Sequence, residues 1–417
     1  MRPIKHIVYL LDGLSPLALK GRNNLNFFNT KIKSNFVSKI KEKSLVFDNC
    51  YGHGETYSTT YSMLTGRDIY TTYCDSFHAI TSFPKVKNLG HMYKKKGFKN
   101  IFFKNGSEKT PSKGYYKRYH DTIASYFDIK CIKKKHKKYT FQNFFEEHKI
   151  KNILKNEKKI LFFIHDFSLH DNPQVYKNST PKKYLKAIDK SAKIIQKNLK
   201  LMNYNKNIDT LYFLSDHGMT MAPNDQLHFN NQLTKKSYNL YYKNLLIDEK
   251  VKFNFFIKFP KSNKGIFIKK ILTSKYIFFI IRHILLSNLN FCTNKFLKKI
   301  NIMLPSKAIT SVRSAFQSRY ESWFEKNYFH THFIFLSKKL KFTFSLKHKI
   351  LFYDLNKSSN MSLKKIPKSF LKKINEYFSL KNYIKKYLIL AYSIVFRIVF
   401  KILDIFNFVI ARNKKKI

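Results

Sequence analysis

Acidic residues are scarce in this 417-residue chain, where 25 Asp and Glu stand against 80 Lys and Arg for a formal net charge of +55. Such an imbalance ordinarily points to nucleic acid or an anionic membrane as partner. A blander cause competes. Lysine dominates over arginine and is spread along the whole chain instead of forming one stripe, as when an AT-rich genome fills every tolerant surface position. With no recognisable motif or aromatic-basic repeat, nucleic acid ranks last among the partners. Cysteine is also sparse. Cys50, Cys74, Cys131 and Cys292 show no CxxC or Cys/His spacing, which excludes a disulfide framework or a cysteine zinc site and fits a reducing compartment. A secretion signal is lacking too, because the first apolar run, His6 to Leu11, is cut short by Asp12. No internal repeat is visible.

What is present is a large apolar fraction, 44% with 17% aromatic, enough for one large core or two unequal ones. Short apolar runs bounded by polar turns predict buried parallel strands at Ile7 to Leu11, Leu45 to Phe47, Ile101 to Phe103, Ile160 to Ile164 and Leu211 to Leu214. Between them, Leu185, Ile188, Ala192, Ile195, Leu199 and Met202 recur at helical steps and predict a helix over Lys182 to Asn203. This alternation predicts an α/β domain over residues 1–260, with ligands beyond the carboxyl ends of the strands. After Pro260 the pattern changes, so a smaller α+β subdomain is expected over 261–380, with strand-like runs at Phe333 to Leu336 and Ile350 to Leu355.

Over residues 381–417 the chain is strongly apolar but carries Ser393, Arg397, Lys401, Asp404 and Asn407 on one helical stripe, followed by a basic end. Charges at that depth disfavour a spanning helix. Two readings stay open: an amphipathic helix lying on an anionic leaflet, and one packed on the protein itself.

Chemistry-bearing residues gather at the strand ends. Asp12-Gly13 follows the first strand. The second leads into a polar loop, Asn49 to Arg67, that enters a helix from about Ser58; a hydroxyl there sits where backbone N–H groups favour an anion, or serves as an ordinary N-cap. The fourth strand ends with His165, Asp166 and His170, the fifth with Asp216 and His217. Neighbouring carboxylate and imidazole ligands suit a divalent ion of borderline character such as Zn²⁺ or Mn²⁺. Three strands delivering such groups to one rim, with a hydroxyl between them, define a candidate site.

The string from Thr56 to Arg67, closing Ser-Met-Leu-Thr-Gly-Arg, resembles the sulfatase signature of the alkaline-phosphatase superfamily, in which the nucleophile lies ten positions before the glycine of that close. Counting back ten from Gly66 gives Thr56. Asp12, Ser215-Asp-His-Gly218 and the His-x-x-Pro at 170–173 are similar to the family's metal and substrate elements, in the same order. Scaffold landmarks at Gly97-Phe98, Tyr184 to Asp189, Val251 to Pro260, Ser311 to Arg313 and Leu351 to Leu355 extend the resemblance over roughly residues 3–375. It implies a central, mostly parallel sheet flanked by helices.

The departures redirect the chemistry. Sulfatases oxidise Cys or Ser at the nucleophile position to formylglycine, which Thr56 cannot become, and Ser58 and Thr60 replace the Pro and Arg of the modification signal. An unmodified Thr is what the resemblance associates with phosphodiesterases and with phosphoethanolamine or phosphoglycerol transferases. It therefore implies a metal-dependent hydrolase or transferase forming a covalent Thr56 intermediate on a phosphodiester. Asp12-Gly13 in place of two successive aspartates, and His217 in place of Asn, shift the expected ion from Ca²⁺ to Zn²⁺ or Mn²⁺.

The expected metal ligands are Asp12, Thr56, Asp216 and His217, with Asp166 added because an Asp followed by a His four positions on supplies a second metal in the phosphodiesterase relatives. His170, His228 and Lys235 or Lys236 are expected to neutralise the phosphoryl oxygens or protonate the leaving group. Lys104 and Asn105 lie one position out of register with a substrate-binding Lys of sulfatases, and His330 and His332 read as structural. Substrates in view are a lipid head group, a surface polysaccharide precursor or a nucleotide. A cytoplasmic enzyme docked on the inner membrane face is the expected location. The alternatives are a sulfuric ester hydrolase with a non-standard nucleophile and an inactive, sulfatase-like binding protein.

Overall fold

The computed structural model describes residues 2–19, 26–27, 30–31, 33–53, 56–67, 87–105, 123–132, 139–170, 180–218, 252–305, 307–313, 331–337, 340–345, 351–354 and 359–360. The chain opens with β1 (Ile4–Leu11), a two-residue ribbon of β2 (Asn26–Phe27) and β3 (Thr30–Lys31), α1 (Phe36–Lys41), β4 (Leu45–Tyr51) and α2 (Thr56–Thr65). It continues through α3 (Leu89–Lys95), β5 (Lys99–Lys104), β6 (Ile129–Ile132), α4 (Phe141–Glu147), α5 (Ile150–Asn156) and β7 (Lys159–Asp166). Then come α6 (Pro181–Leu201), β8 (Thr210–Leu214), β9 (Phe255–Lys258), β10 (Ile266–Thr273), α7 (Ser274–Leu286) and α8 (Asn294–Met303). The last described strands are β11 (Lys307–Arg313), β12 (Thr331–Ser337), β13 (Leu340–Ser345), β14 (Leu351–Asp354) and β15 (Ser359–Asn360).

Eight strands form one sheet in the order β10-β4-β9-β8-β1-β7-β5-β6. Within it β9 runs antiparallel to both of its neighbours and the other described pairings are parallel. This is an α/β fold with helices on both faces. All five strands expected from sequence are present, each longer than its apolar run.

Side-chain alternation along each strand divides the interior into two cores. On one face Val8, Leu10, Leu161, Phe163, Tyr212 and Leu214 pack with α2, α3, α7 and α8. On the other, Ile7, Tyr9, Ile160, Phe162, Ile164 and Phe213 pack with α4, α5 and α6. Helix α6 is built for that second face. Thr180 caps its first turn, Pro181 takes a position that needs no N–H, and Tyr184, Ile188, Ile195 and Leu199 are buried at helical spacing. Each such aliphatic side chain contributes on the order of 1.5–3 kcal/mol.

The expected boundary near residue 260 falls between β9 and β10, two strands of the same sheet. β10 pairs in parallel with β4, and Ile277, Ile281, Phe296, Ile300 and Leu304 join the first core. The strand-like run at 333–336 falls in β12, and that at 350–355 overlaps β14 over Leu351–Asp354, in a five-stranded antiparallel sheet, β11 to β15. The amphipathic segment over 381–417 lies outside the described residues. Among those described, no helix is long and apolar enough to cross a membrane.

Candidate metal centre and nucleophile

The same alternation delivers the candidate site to one face. Val8 and Leu10 point into the first core, so Asp12, two residues on, continues on that side; Leu161 and Phe163 do the same for His165, and Tyr212 and Leu214 for Asp216. Gly13 follows Asp12 with φ +76°, a left-handed turn that glycine adopts freely. Helix α2 packs on this face and begins at Thr56, two residues earlier than expected, which puts the Thr56 hydroxyl at its first turn. The approach is close. A Cβ on Gly52 would lie 2.9 Å from the Asp216 carbonyl oxygen, so this crossing requires glycine.

Thr56 Oγ1 lies 3.1 Å from Asp12 Oδ2 and 3.2 Å from His217 Nε2. His217 Nε2 is 3.6 Å from Asp12 Oδ1 and 3.4 Å from Asp216 Oδ2. Asp12 Oδ1 and Asp216 Oδ2 are both buried and have no hydrogen-bond partner. A buried carboxylate oxygen left so is costly unless a cation meets it. Donors sharing a tetrahedral ion at roughly 2.1 Å stand about 3.4 Å apart, so the donor set fits a divalent cation. His217 Nδ1 is 2.7 Å from the Gly218 carbonyl oxygen, which accepts only; the proton is therefore on Nδ1, and Nε2 keeps its lone pair towards the site. Asp12, His170 and His217 form one metal-capable group, and Asp12, His165 and Asp216 another.

Burial by itself would raise the Asp12 carboxyl. The facing His170, the hydrogen bond from His165 and the nearby His217 outweigh it and hold Asp12 well below the usual carboxylate range. Burial lowers the proton affinity of His165, opposed by its 3.2 Å contact with Asp12 Oδ2. The site thus presents an ionised Asp12 against a neutral His165.

Of the residues expected from sequence, Asp12, Thr56, Asp216 and His217 converge. His170 stands at the rim, partly exposed, with Nε2 3.9 Å from Asp12 Oδ1. Asp166 does not converge. Adjacent to His165 on β7, it faces the opposite side of the sheet, where Tyr9 donates to Oδ2 at 2.6 Å and Ser168 N–H to Oδ1 at 2.8 Å. Of the two neighbours that end β7, His165 faces Asp12 and Asp166, the one expected to bind a second metal, faces away; strand parity counted from Phe163 separates them. Lys104 ends β5 on the site's face, buried, with Nζ 4.5 Å from the Phe167 ring centre. Asn105 instead braces the turn after β7, accepting from the Phe167 N–H at 2.8 Å. Thr59 is fully buried and accepts from the His53 N–H, so among the described side chains of this turn Thr56 is the hydroxyl facing Asp12 and His217. His228, Lys235, Lys236, His330 and Cys74 lie outside the described residues, as do the side chains of Ser58 and His332.

The fold is shared with solved structures that include a member of the alkaline phosphatase superfamily from Vibrio parahaemolyticus, 11% identical, with 92% of this chain and 88% of that chain covered and a TM-score of 0.56. Three further solved structures with this fold overlay most of the chain. The phosphonate monoester hydrolase of Agrobacterium radiobacter is 12% identical, with 94% of this chain and 96% of that chain covered and a TM-score of 0.56. A 2-O GAG sulfatase is 12% identical, with 93% and 92% covered and a TM-score of 0.55. The lipoteichoic acid synthase LtaP from Listeria monocytogenes is 13% identical, with 87% of each chain covered and a TM-score of 0.53. No family model matches this chain, and no curated protein matches it.

Proposed function

We infer that this chain is a divalent-metal-dependent enzyme that cleaves a phosphodiester through a covalent intermediate on Thr56. The observation that carries this reading is the position of Thr56 Oγ1, at the start of α2 and within 3.2 Å of both Asp12 and His217. Solved structures with this fold include a phosphonate hydrolase and a lipoteichoic acid synthase, which supports ester hydrolysis or transfer as the reaction class. An unmodified Thr favours phosphorus over sulfur chemistry.

Asp12, Asp216 and His217 would hold the ion, with Thr56 completing the set. When bound, a Zn²⁺ or Mn²⁺ ion lowers the pKa of a neighbouring hydroxyl and offsets negative charge on the ester. Thr56 Oγ1 attacks phosphorus as its proton passes to Asp12 Oδ2, the carboxylate oxygen to which it already donates. A bond from Oγ1 to phosphorus forms while the bond to the leaving alkoxide breaks. His170, at the open rim, donates the proton that the leaving oxygen takes up. His165 donates to Asp12 and fixes its orientation. Water or an acceptor hydroxyl then releases the phosphoryl group from Thr56. Lys104, buried beside His165, adds positive charge where the ester's free oxygens approach.

Substrates that fit this reading carry a phosphodiester, such as a lipid head group or a surface polysaccharide precursor. Paired assays of the metal-reconstituted protein on bis-p-nitrophenyl phosphate and p-nitrophenyl sulfate test it, with faster turnover of the phosphodiester expected. Faster turnover of the sulfate ester would reverse the assignment, and absence of both activities with no bound metal would make the chain a binding protein.

A further inference from the structure

At the opposite pole of the sheet from Asp12 lies a half-open cavity of about 510 Å³. The eight residues of β1, at roughly 3.3 Å each, separate the two ends by about 25 Å. Arg2, Lys200, Asn203, Tyr204, Lys206 and Asn207 line it. The cations outnumber what the local carboxylate neutralises. Asp209, behind the cavity wall, is already taken up by Lys5 Nζ at 3.2 Å and by the N–H groups of Lys5 and Asn205. Among the described residues, the side chains of Arg2, Lys200 and Lys206 meet no carboxylate. Lys200 also offsets the negative end of α6, where it stands in the last turn. Arg2 and Lys206 have no such local task. The positive field reaches further, since Lys258 is lowered by burial and then by Lys43 and Lys206.

We propose that this cavity is a binding site for a compact, multiply charged phosphate anion of the pyrophosphate class, separate from the catalytic rim. Arg2 supplies a planar fork suited to two phosphate oxygens, and Lys200 and Lys206 supply point charges. The side-chain amides of Asn203 and Asn207 add neutral donors to the lining. The volume suits a small ligand and is too confined for a folded partner. Three cations that meet no carboxylate among the described residues match the charge of pyrophosphate better than that of a monoanion.

The test is calorimetric titration of sodium pyrophosphate into the full chain after removal of divalent ions, so that no ion at the rim can hold the anion there. One saturable site is expected, weakening as salt rises. Affinity should fall about tenfold or more in the Arg2→Ala, Lys200→Ala, Lys206→Ala triple variant and stay unchanged in Thr56→Ala. Single Lys206→Gln, read with its thermal midpoint, serves if the triple variant does not fold. Wild-type affinity in the folded variants, no saturable binding, or loss in Thr56→Ala alone would overturn the assignment. Vesicles of phosphatidylglycerol form a second arm. Sedimentation with them that the triple variant abolishes, without pyrophosphate binding, would replace the soluble ligand by a lipid head group.

Discussion

Tyr9 donates its phenolic hydrogen to Asp166 Oδ2 at 2.6 Å, and Asn198 from α6 donates to the same Tyr9 oxygen at 2.9 Å. This buried chain of hydrogen bonds occupies the carboxylate that the Asp-x-x-x-His spacing had made a candidate ligand. Asp166→Asn should therefore lower stability while metal content stays at the wild-type level, as read by denaturant titration and elemental analysis. The change leaves Tyr9 without its charged acceptor and costs about 1–3 kcal/mol. Loss of an equivalent of metal in Asp166→Asn would return Asp166 to the ligand set.

Tyr184 holds the turn that presents Asp12. Its hydroxyl donates to the Gly13 carbonyl oxygen at 2.8 Å and accepts from the Ser15 N–H at 2.8 Å. Removing the hydroxyl leaves both backbone groups buried and unmet. Tyr184→Phe is expected to weaken metal binding by about tenfold, in the range seen when a partner behind a ligand is lost. Unchanged metal affinity by competition with a chelator would show that the turn holds without it.

Gly52 marks where the loop after β4 crosses Asp216. A methyl group there meets backbone oxygen at 2.9 Å and the Thr59 side chain at 3.0 Å, and the oxygen belongs to the residue that carries a site carboxylate. Gly52→Ala should cost about 1–3 kcal/mol and displace Asp216 enough to reduce metal occupancy. Full occupancy with wild-type stability would mean that the loop accommodates the methyl group.

His6 gives a pH dependence remote from the site. It is buried on β1 between Tyr93 and Tyr212, and burial lowers its pKa from 6.5 to about 4. The unfolded chain therefore binds a proton that the folded chain refuses between those values. Stability is full above pH 6.5 and falls as the pH drops towards 4, by about 3 kcal/mol if His6 acts alone. Denaturant midpoints across that window should show the loss in the wild type and a flatter profile in His6→Gln. Parallel profiles would remove His6 as the cause.

β1, β4, β5, β7 and β8 were legible because they read as continuous apolar runs, whereas β9, a four-residue strand between β4 and β8, was not among the strands expected. β10 was not: it is the edge strand, where Lys269 and Lys270 interrupt the run at a register shift opposite β4. α2 was only half legible. Its sequence lacks an apolar stripe, and Thr59, Thr60 and Ser62 are buried, so no helical period announces where it begins. Within the site, the residues that end strands were found by type and position. The choice between His165 and Asp166 needed the face of β7, which residue type alone does not carry.

The covalent role of Thr56 is reached most directly by acid-quenching the metal-reconstituted protein during turnover of bis-p-nitrophenyl phosphate and mapping phosphorylated peptides by mass spectrometry. The prediction is an adduct on Thr56, absent in Thr56→Ala along with turnover. An adduct on another residue, or undiminished turnover in Thr56→Ala, would contradict it.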